Sequence, residues 1–289
     1  MGRAYGNKTF VFNGGTVVAT TSTNAFMHDL TQAYVAAGGA NLDTAGFDIV
    51  IPQPLKAHPD SQGGGLTKTG NGVLALTGAN TYTGRTVLQQ GTLQLGPAAH
   101  NTVLSLGGAD IQAGKMLFDY TGGSSPAATI QTLLAASYNG GQWDTGQFLC
   151  TTADAGHGLG WIDDTGVQQV IVRYALYGDA DLSGIVDSDD LFILLSGLGS
   201  TSAVWSDGDF DYNGIVNSDD LFTLLSALGS SLQSLTLFYN GALDSASLGM
   251  LSAHGVTVVP EPATLGLLIC AASALAAACW QRRQQIKAK

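Results

Sequence analysis

The sequence predicts a mainly β chain in three parts: a β-solenoid (parallel β-helix), a small α-helical module built on two acidic loops, and a C-terminal transmembrane helix. Three observations predict it. Residues 8–120 alternate short apolar runs with Gly, Asn and Thr, in a chain of 39 glycines, 7 prolines and only 11% charged residues. An acidic stretch occurs twice, GDADLSGIVDSDDLFILLSGLG at 178–199 and GDFDYNGIVNSDDLFTLLSALG at 208–229. A run of apolar and small residues, 263–280, precedes Arg282 and Arg283.

The first part, residues 1–120, reads as strands at Phe10–Phe12, Thr16–Ala19, Phe47–Ile51, Val73–Leu76, Thr86–Leu88, Thr92–Leu95 and Met116–Phe118. Strands this short cannot bury themselves alone, whereas stacked coils share one continuous core. A β-sandwich also gives short strands, so strand length alone leaves both architectures open. Phe26, Leu30 and Tyr34, four apart, predict a helical interruption over Ala25–Ala37. The stretch 63–96, with Gly65-Leu66-Thr67-Lys68-Thr69-Gly70, Leu74-Ala75-Leu76-Thr77-Gly78, Tyr82-Thr83-Gly84 and Gly91-Thr92-Leu93, resembles the autotransporter-associated β-strand repeat. That resemblance implies a right-handed parallel β-helix used as a surface passenger or stalk. Residues 38–47 look like the preceding coil. The opening MGRAYGNKTFVFNGG has no apolar signal core, so the chain is expected to start inside a longer product that carries the export signal upstream.

Residues 121–177 read as a cap and connector, with a helix at Ala127–Tyr138 and a strand at Val170–Leu176. Such a cap shields the open strand edge of a solenoid. Cys150 is expected as a small core residue. His157, near Asp154, Asp163 and Asp164, has no nucleophile–base arrangement around it and reads as structural.

The acidic module spans 178–229. Calcium takes six to eight oxygen ligands, and a twelve-residue loop supplies them from positions 1, 3, 5, 7, 9 and 12 with Gly at 6. The first loop offers Asp179, Asp181, Ser183, the Ile185 carbonyl, Asp187 and Asp190 around Gly184; the second offers Asp209, Asp211, Asn213, the Ile215 carbonyl, Asn217 and Asp220 around Gly214. No Lys or Arg lies between Arg173 and Arg282, so nothing local except a metal neutralises these carboxylates. Each loop leads into a short helix with Ser188 or Ser218 as the expected N-cap and Gly199 or Gly229 at its end. Leu191, Leu195 and Leu198, and likewise Leu221, Leu225 and Leu228, form the apolar faces.

These residues resemble the type I dockerin family, an EF-hand-like tandem repeat with Asp at position 12. The resemblance implies two Ca2+ sites on the ligands just named and docking onto a cohesin-type domain through Ser188-Asp189 and Ser218-Asp219, in relatives attached to polysaccharide-degrading machinery. Two departures stand out: Ser183 occupies a place usually held by Asp or Asn, and Leu195 and Ser196 stand where basic residues often follow.

Residues 230–257 read as a linker with short strands, and 258–284 as a sorting and membrane segment. The eighteen residues 263–280 rise about 27 Å as a helix, near the roughly 30 Å of a hydrocarbon core. The basic flank stays cytoplasmic, which leaves the preceding chain outside. Pro260, Glu261 and Pro262, the spanning run and the Arg pair resemble the PEP-CTERM sorting signal. The resemblance implies an exosortase as processing partner and a cell-envelope or surface location, with a single-pass membrane segment before processing.

A net charge of −11 argues against nucleic acid as a partner. The sole Glu, Glu261, lies in the sorting motif, and ten of the acidic residues lie between Asp179 and Asp220. No carboxylate pair, nucleophile elbow or phosphate loop remains to carry catalysis. The expected function is that of a non-enzymatic, calcium-binding surface or matrix protein, with a surface polysaccharide or a cohesin-type domain as partner; the combination of parts resembles large planctomycete-type surface proteins. The alternative is a dockerin-borne component of polysaccharide catabolism whose catalytic part lies elsewhere.

Overall fold

A computed structural model describes residues 7–228, 236–239 and 243–260. The chain divides into two compact units at residue 229. The first contains twelve solenoid strands in sequence order: β1 (Thr9–Phe12), β2 (Thr16–Val18), β3 (Gln32–Val35), β4 (Ala40–Asp43), β5 (Ile49–Ile51), β6 (Leu55–Ala57), β7 (Leu66–Thr69), β8 (Val73–Leu76), β9 (Thr86–Leu88), β10 (Gly91–Leu95), β11 (Ala109–Ile111) and β12 (Gly114–Asp119). They wind through about five turns and stack into three sheets, β1-β3-β6, β2-β4-β7-β9-β11 and β5-β8-β10-β12. Every pairing among them is parallel. This settles the architecture as a β-solenoid and excludes the sandwich.

Register explains the core. Ile49, Leu74, Leu93 and Met116 align rung on rung, as do Ile51, Leu76, Leu95 and Phe118, and all eight are buried. Each such side chain contributes about 1.5–3 kcal/mol relative to exposure. One row is broken by a charge: Lys68 aligns with Leu42 and Leu88 and is fully buried. Its Nζ donates to Thr44 Oγ1 (3.0 Å), Thr69 O (2.8 Å), Gly70 O (2.6 Å) and Gln90 O (3.1 Å), so the ammonium gathers oxygens at a coil corner. Burial pulls it down to about 8. Other corners need glycine for space: a Cβ on Gly64 would sit on the Ala36 carbonyl oxygen, and one on Gly107 on that of Gly84.

The helix expected over Ala25–Ala37 is not formed. Residues 32–35 are β3, where Ala33 and Val35 are buried and Gln32 and Tyr34 half-buried, a period of two. The strand pairs with β1 and β6 on either side, and this pairing overrides the spacing of Phe26, Leu30 and Tyr34.

The cap follows as α1 (Ala127–Ser137), β13 (Phe148–Leu149), β14 (His157–Asp164) and β15 (Gln169–Leu176). Strand β13 extends the β11 edge in parallel. Strand β15 pairs antiparallel with β12, and β14 antiparallel with β15, so the parallel stack ends where the chain reverses. Val170 and Val172 continue the two apolar rows beyond Phe118 and Met116. Ile130 and Leu134 of α1, with Trp143, Phe148, Cys150 and Trp161, fill the space beneath. The acidic module adds α2 (Ser188–Gly197) and α3 (Ser218–Leu228) within the same unit.

The second unit holds β16 (Thr236–Tyr239), α4 (Ser245–Ala253) and β17 (Thr257–Pro260), with β16 and β17 parallel. Asp244 caps α4 by accepting from the Ser247 N–H at 2.7 Å, which lowers its carboxyl below the usual range. Among the described residues no helix is long and apolar enough to cross a membrane. The expected span 263–280, Glu261, Pro262, Cys270 and Cys279 lie outside the described residues, and so does Gly229.

Candidate metal centre

Each acidic loop folds around its own backbone. In the first, the two Asp179 oxygens accept the Ser183 and Gly184 N–H groups at 2.8 and 2.9 Å, and Asp181 Oδ1 accepts Ser183 N–H at 2.9 Å. Asp190 reaches back from α2 to accept Ala180 N–H at 2.9 Å and Asp187 N–H at 2.9 Å. The second loop repeats this: Asp209 accepts from Asn213 (3.1 Å) and Gly214 (3.0 Å), Asp211 from Asn213 (3.0 Å), and Asp220 from Phe210 (2.8 Å) and Asn217 (3.0 Å). The fourth loop residue, Leu182 or Tyr212, is left-handed in both (φ 57° and 60°). The sequence similarity of the two loops thus becomes similarity of geometry.

This folding brings Asp179, Asp181 and Asp190 together, and separately Asp209, Asp211 and Asp220, with carboxylate oxygens of each triad within 4.8 Å of one another. Ser183 joins the first loop at position 5, its Oγ lying 3.2 Å from the Ile185 carbonyl. In the second loop Asn213 Oδ1 accepts Ile215 N–H at 2.7 Å. Asp187 and Asn217 are differently employed. They are the N-caps of α2 and α3, accepting the Asp189 and Asp219 N–H groups at 2.8 and 2.7 Å. Ser188 and Ser218, expected as caps, are the first helical residues instead, because the longer side chain one position earlier reaches those donors.

Burial and electrostatics mark four of the six clustered acids as unusual. Asp179, Asp190, Asp209 and Asp220 are at most 3% exposed. Burial pushes their carboxyls up, Asp179 and Asp220 to about 6, Asp190 and Asp209 to about 7, against the backbone donors that pull them down. An all-oxygen donor set without sulfur or imidazole suits a hard cation such as calcium.

The expectation that nothing local except a metal neutralises these carboxylates does not hold for the first loop. The first loop does have a cation beside it: Arg173 of β15 donates from Nη1 to the Leu182 carbonyl at 2.9 Å and favours the charged form of Asp179. The strand running directly into the loop carries it there, a proximity visible in the sequence as six residues of separation from Asp179.

Two residues outside the expected ligand set tie the loops to the cap. Trp205, between the repeats and fully buried, donates its Nε1–H to the Asp179 carbonyl at 2.8 Å. Tyr212 donates its hydroxyl proton to the Leu159 carbonyl of β14 at 2.5 Å. Their rings pack with Tyr138, Trp143, Tyr177 and Phe210 at centroid distances of 5.1 to 6.0 Å. Leu194 and Leu224 complete the helical faces as buried residues that the Leu191 and Leu221 series omitted. His157 stacks on Tyr174 at 5.0 Å and pairs with Asp154 at 2.9 Å, away from both triads.

No curated protein and no solved structure matches the chain. The passenger-associated transport repeat, an autotransporter-associated β-strand repeat, matches residues 66–95. The matched stretch is β7 to β10, little more than one solenoid coil, and it includes the buried Lys68. The match points to a surface or exported β-helical protein.

Proposed function

We propose that this chain is a non-enzymatic surface or matrix protein whose solenoid ends in a calcium-binding pair. The observation that carries the proposal is the duplicated triad: three carboxylates within 4.8 Å of one another, twice, four of the six buried. Buried carboxylates at that spacing repel one another unless protonated or joined by a cation. Calcium bound there would fix Asp179 and Asp190 across the first loop, and Asp209 and Asp220 across the second. Through Trp205 and Tyr212 that order would pass to β14 and the solenoid cap. The exosortase-sorted tail belongs to the same reading and rests on Pro260, Glu261, Pro262 and the sequence after them.

A second reading, docking onto a cohesin-type domain, is favoured by one feature. Phe192 and Phe222 occupy equivalent positions on α2 and α3 and are 55% and 59% exposed, beside Ser188-Asp189 and Ser218-Asp219. Pull-down of cohesin-type domains with and without chelator separates the two readings. A calcium-dependent partner lost in Phe192→Ser/Phe222→Ser supports docking; no partner, with calcium still raising stability, supports the internal brace.

A further inference from the structure

A groove of about 580 Å³ opens beside the junction of the cap and the second acidic loop, a volume within the range of small-molecule sites. Its walls come from the turn after α1, from the turn before β14, and from Phe210 and Thr223. The turn after α1 is held in an unusual shape. Asn139, Gly140, Gly141 and Trp143 are all left-handed, at φ 44°, 63°, 85° and 51°. Glycine adopts this conformation freely, so the strained positions are Asn139 and Trp143, and non-glycine backbone held this way is a feature of ligand clamps.

Two tyrosine hydroxyls converge where that turn has no side chain. A Cβ built on Gly141 would lie 3.2 Å from Tyr177 Oη and 3.8 Å from Tyr138 Oη. Tyr177 accepts the Trp143 Nε1–H at 2.8 Å, which leaves its own proton unspent. Tyr138 Oη has no hydrogen-bond partner among the described residues. Asp144, Asp154 and Gln142 also line the groove. Asp144 is fixed by Asn139 Nδ2 at 2.8 Å, and Asp154 by Gly156 N–H and His157 at 2.8 and 2.9 Å.

We propose that this groove binds a neutral saccharide. Its chemistry selects the class. No Lys or Arg lines it, so nothing attracts an anion. An ammonium group would use the carboxylates and leave the two hydroxyl protons unspent. Sugar hydroxyls donate and accept, so they answer both the tyrosine donors and the carboxylate acceptors.

The groove contains no metal ligand, so the test stands whether or not the acidic loops hold calcium. Saturation-transfer NMR is run on the full chain in calcium-containing buffer with cellobiose, maltose and N,N′-diacetylchitobiose, and with spermidine as the cationic comparison. Transfer to at least one disaccharide is expected, and Tyr138→Phe, which removes a hydroxyl and keeps the ring, should weaken it about fivefold. Asp144→Asn gives an independent second variant. Absence of transfer from all three disaccharides, binding of spermidine alone, or affinity unchanged in both variants overturns the proposal.

Discussion

Without metal, the acidic module should lose stability as pH rises, the reverse of an ordinary salt-bridged carboxylate. Asp179 and Asp220 are pushed up from 3.8 to about 6, and Asp190 and Asp209 to about 7, by burial. The folded loops therefore bind more protons than the unfolded chain between about pH 4 and pH 7. The stability these groups contribute is fully present below pH 4 and is lost as pH passes through 6 to 7. A single carboxyl raised from 3.8 to about 6 represents about 3 kcal/mol at pH 7.5. One such group per loop gives about 6 kcal/mol, comparable to the whole stability of a small domain. Calcium reverses the sign, because deprotonated ligands bind it and its affinity rises with pH. At a thousandfold excess over Kd each site adds about 4 kcal/mol. The assay is thermal unfolding followed by tryptophan fluorescence at pH 5.0 and 7.5, in EGTA and in calcium. The melting temperature should fall from pH 5.0 to 7.5 in EGTA and rise over the same interval in calcium. Curves independent of both pH and calcium would refute the reasoning, since four buried carboxylates could not then lie in the arrangement described.

Other consequences follow from single contacts. Trp205→Phe keeps an aromatic ring but leaves the Asp179 carbonyl without its donor; urea unfolding should show a loss of about 1–3 kcal/mol, and a change below the measurement error would place the link elsewhere. The Lys68 ammonium, lowered to about 8 by burial, holds fewer protons than the unfolded chain between pH 8 and the ordinary lysine value. Stability should therefore rise with pH in that window, and the Lys68 Cε resonance in carbon NMR should titrate near pH 8; a midpoint at the ordinary lysine value would show that the four oxygens outweigh burial. Gly64→Ala puts a methyl group on the Ala36 carbonyl oxygen, and denaturant unfolding should report a loss of several kcal/mol, on the order of that for backbone displacement in a packed site.

The parts of this fold that were legible in the sequence are those fixed by local rules. Loop positions 1, 3 and 12 come together because twelve residues around a central glycine can close in few ways, and the triads contain the expected acids. Strands β8 and β9 fall at the expected boundaries, where compact Val/Leu runs are flanked by turn residues. Other features depend on partners remote in sequence. The spacing of Phe26, Leu30 and Tyr34 is helical by itself, yet Ala33 and Val35 are drawn into a sheet by neighbouring coils. Nothing in the local sequence announces the burial of Lys68, which follows from the rung that places it between Leu42 and Leu88. The bond from Tyr212 to Leu159 spans 53 residues, and no pattern within either segment announces it. Arg173 was the exception, a visible neighbour of the first loop whose reach depends on the direction in which β15 delivers it.

The most direct test of the calcium account is a calorimetric titration of calcium into the chelator-stripped full chain and into the Asp190→Asn and Asp220→Asn variants. Two equivalents should bind, with one lost in each variant because each carboxylate closes a different loop. Absence of binding heat, or two equivalents retained in both variants, would contradict the account.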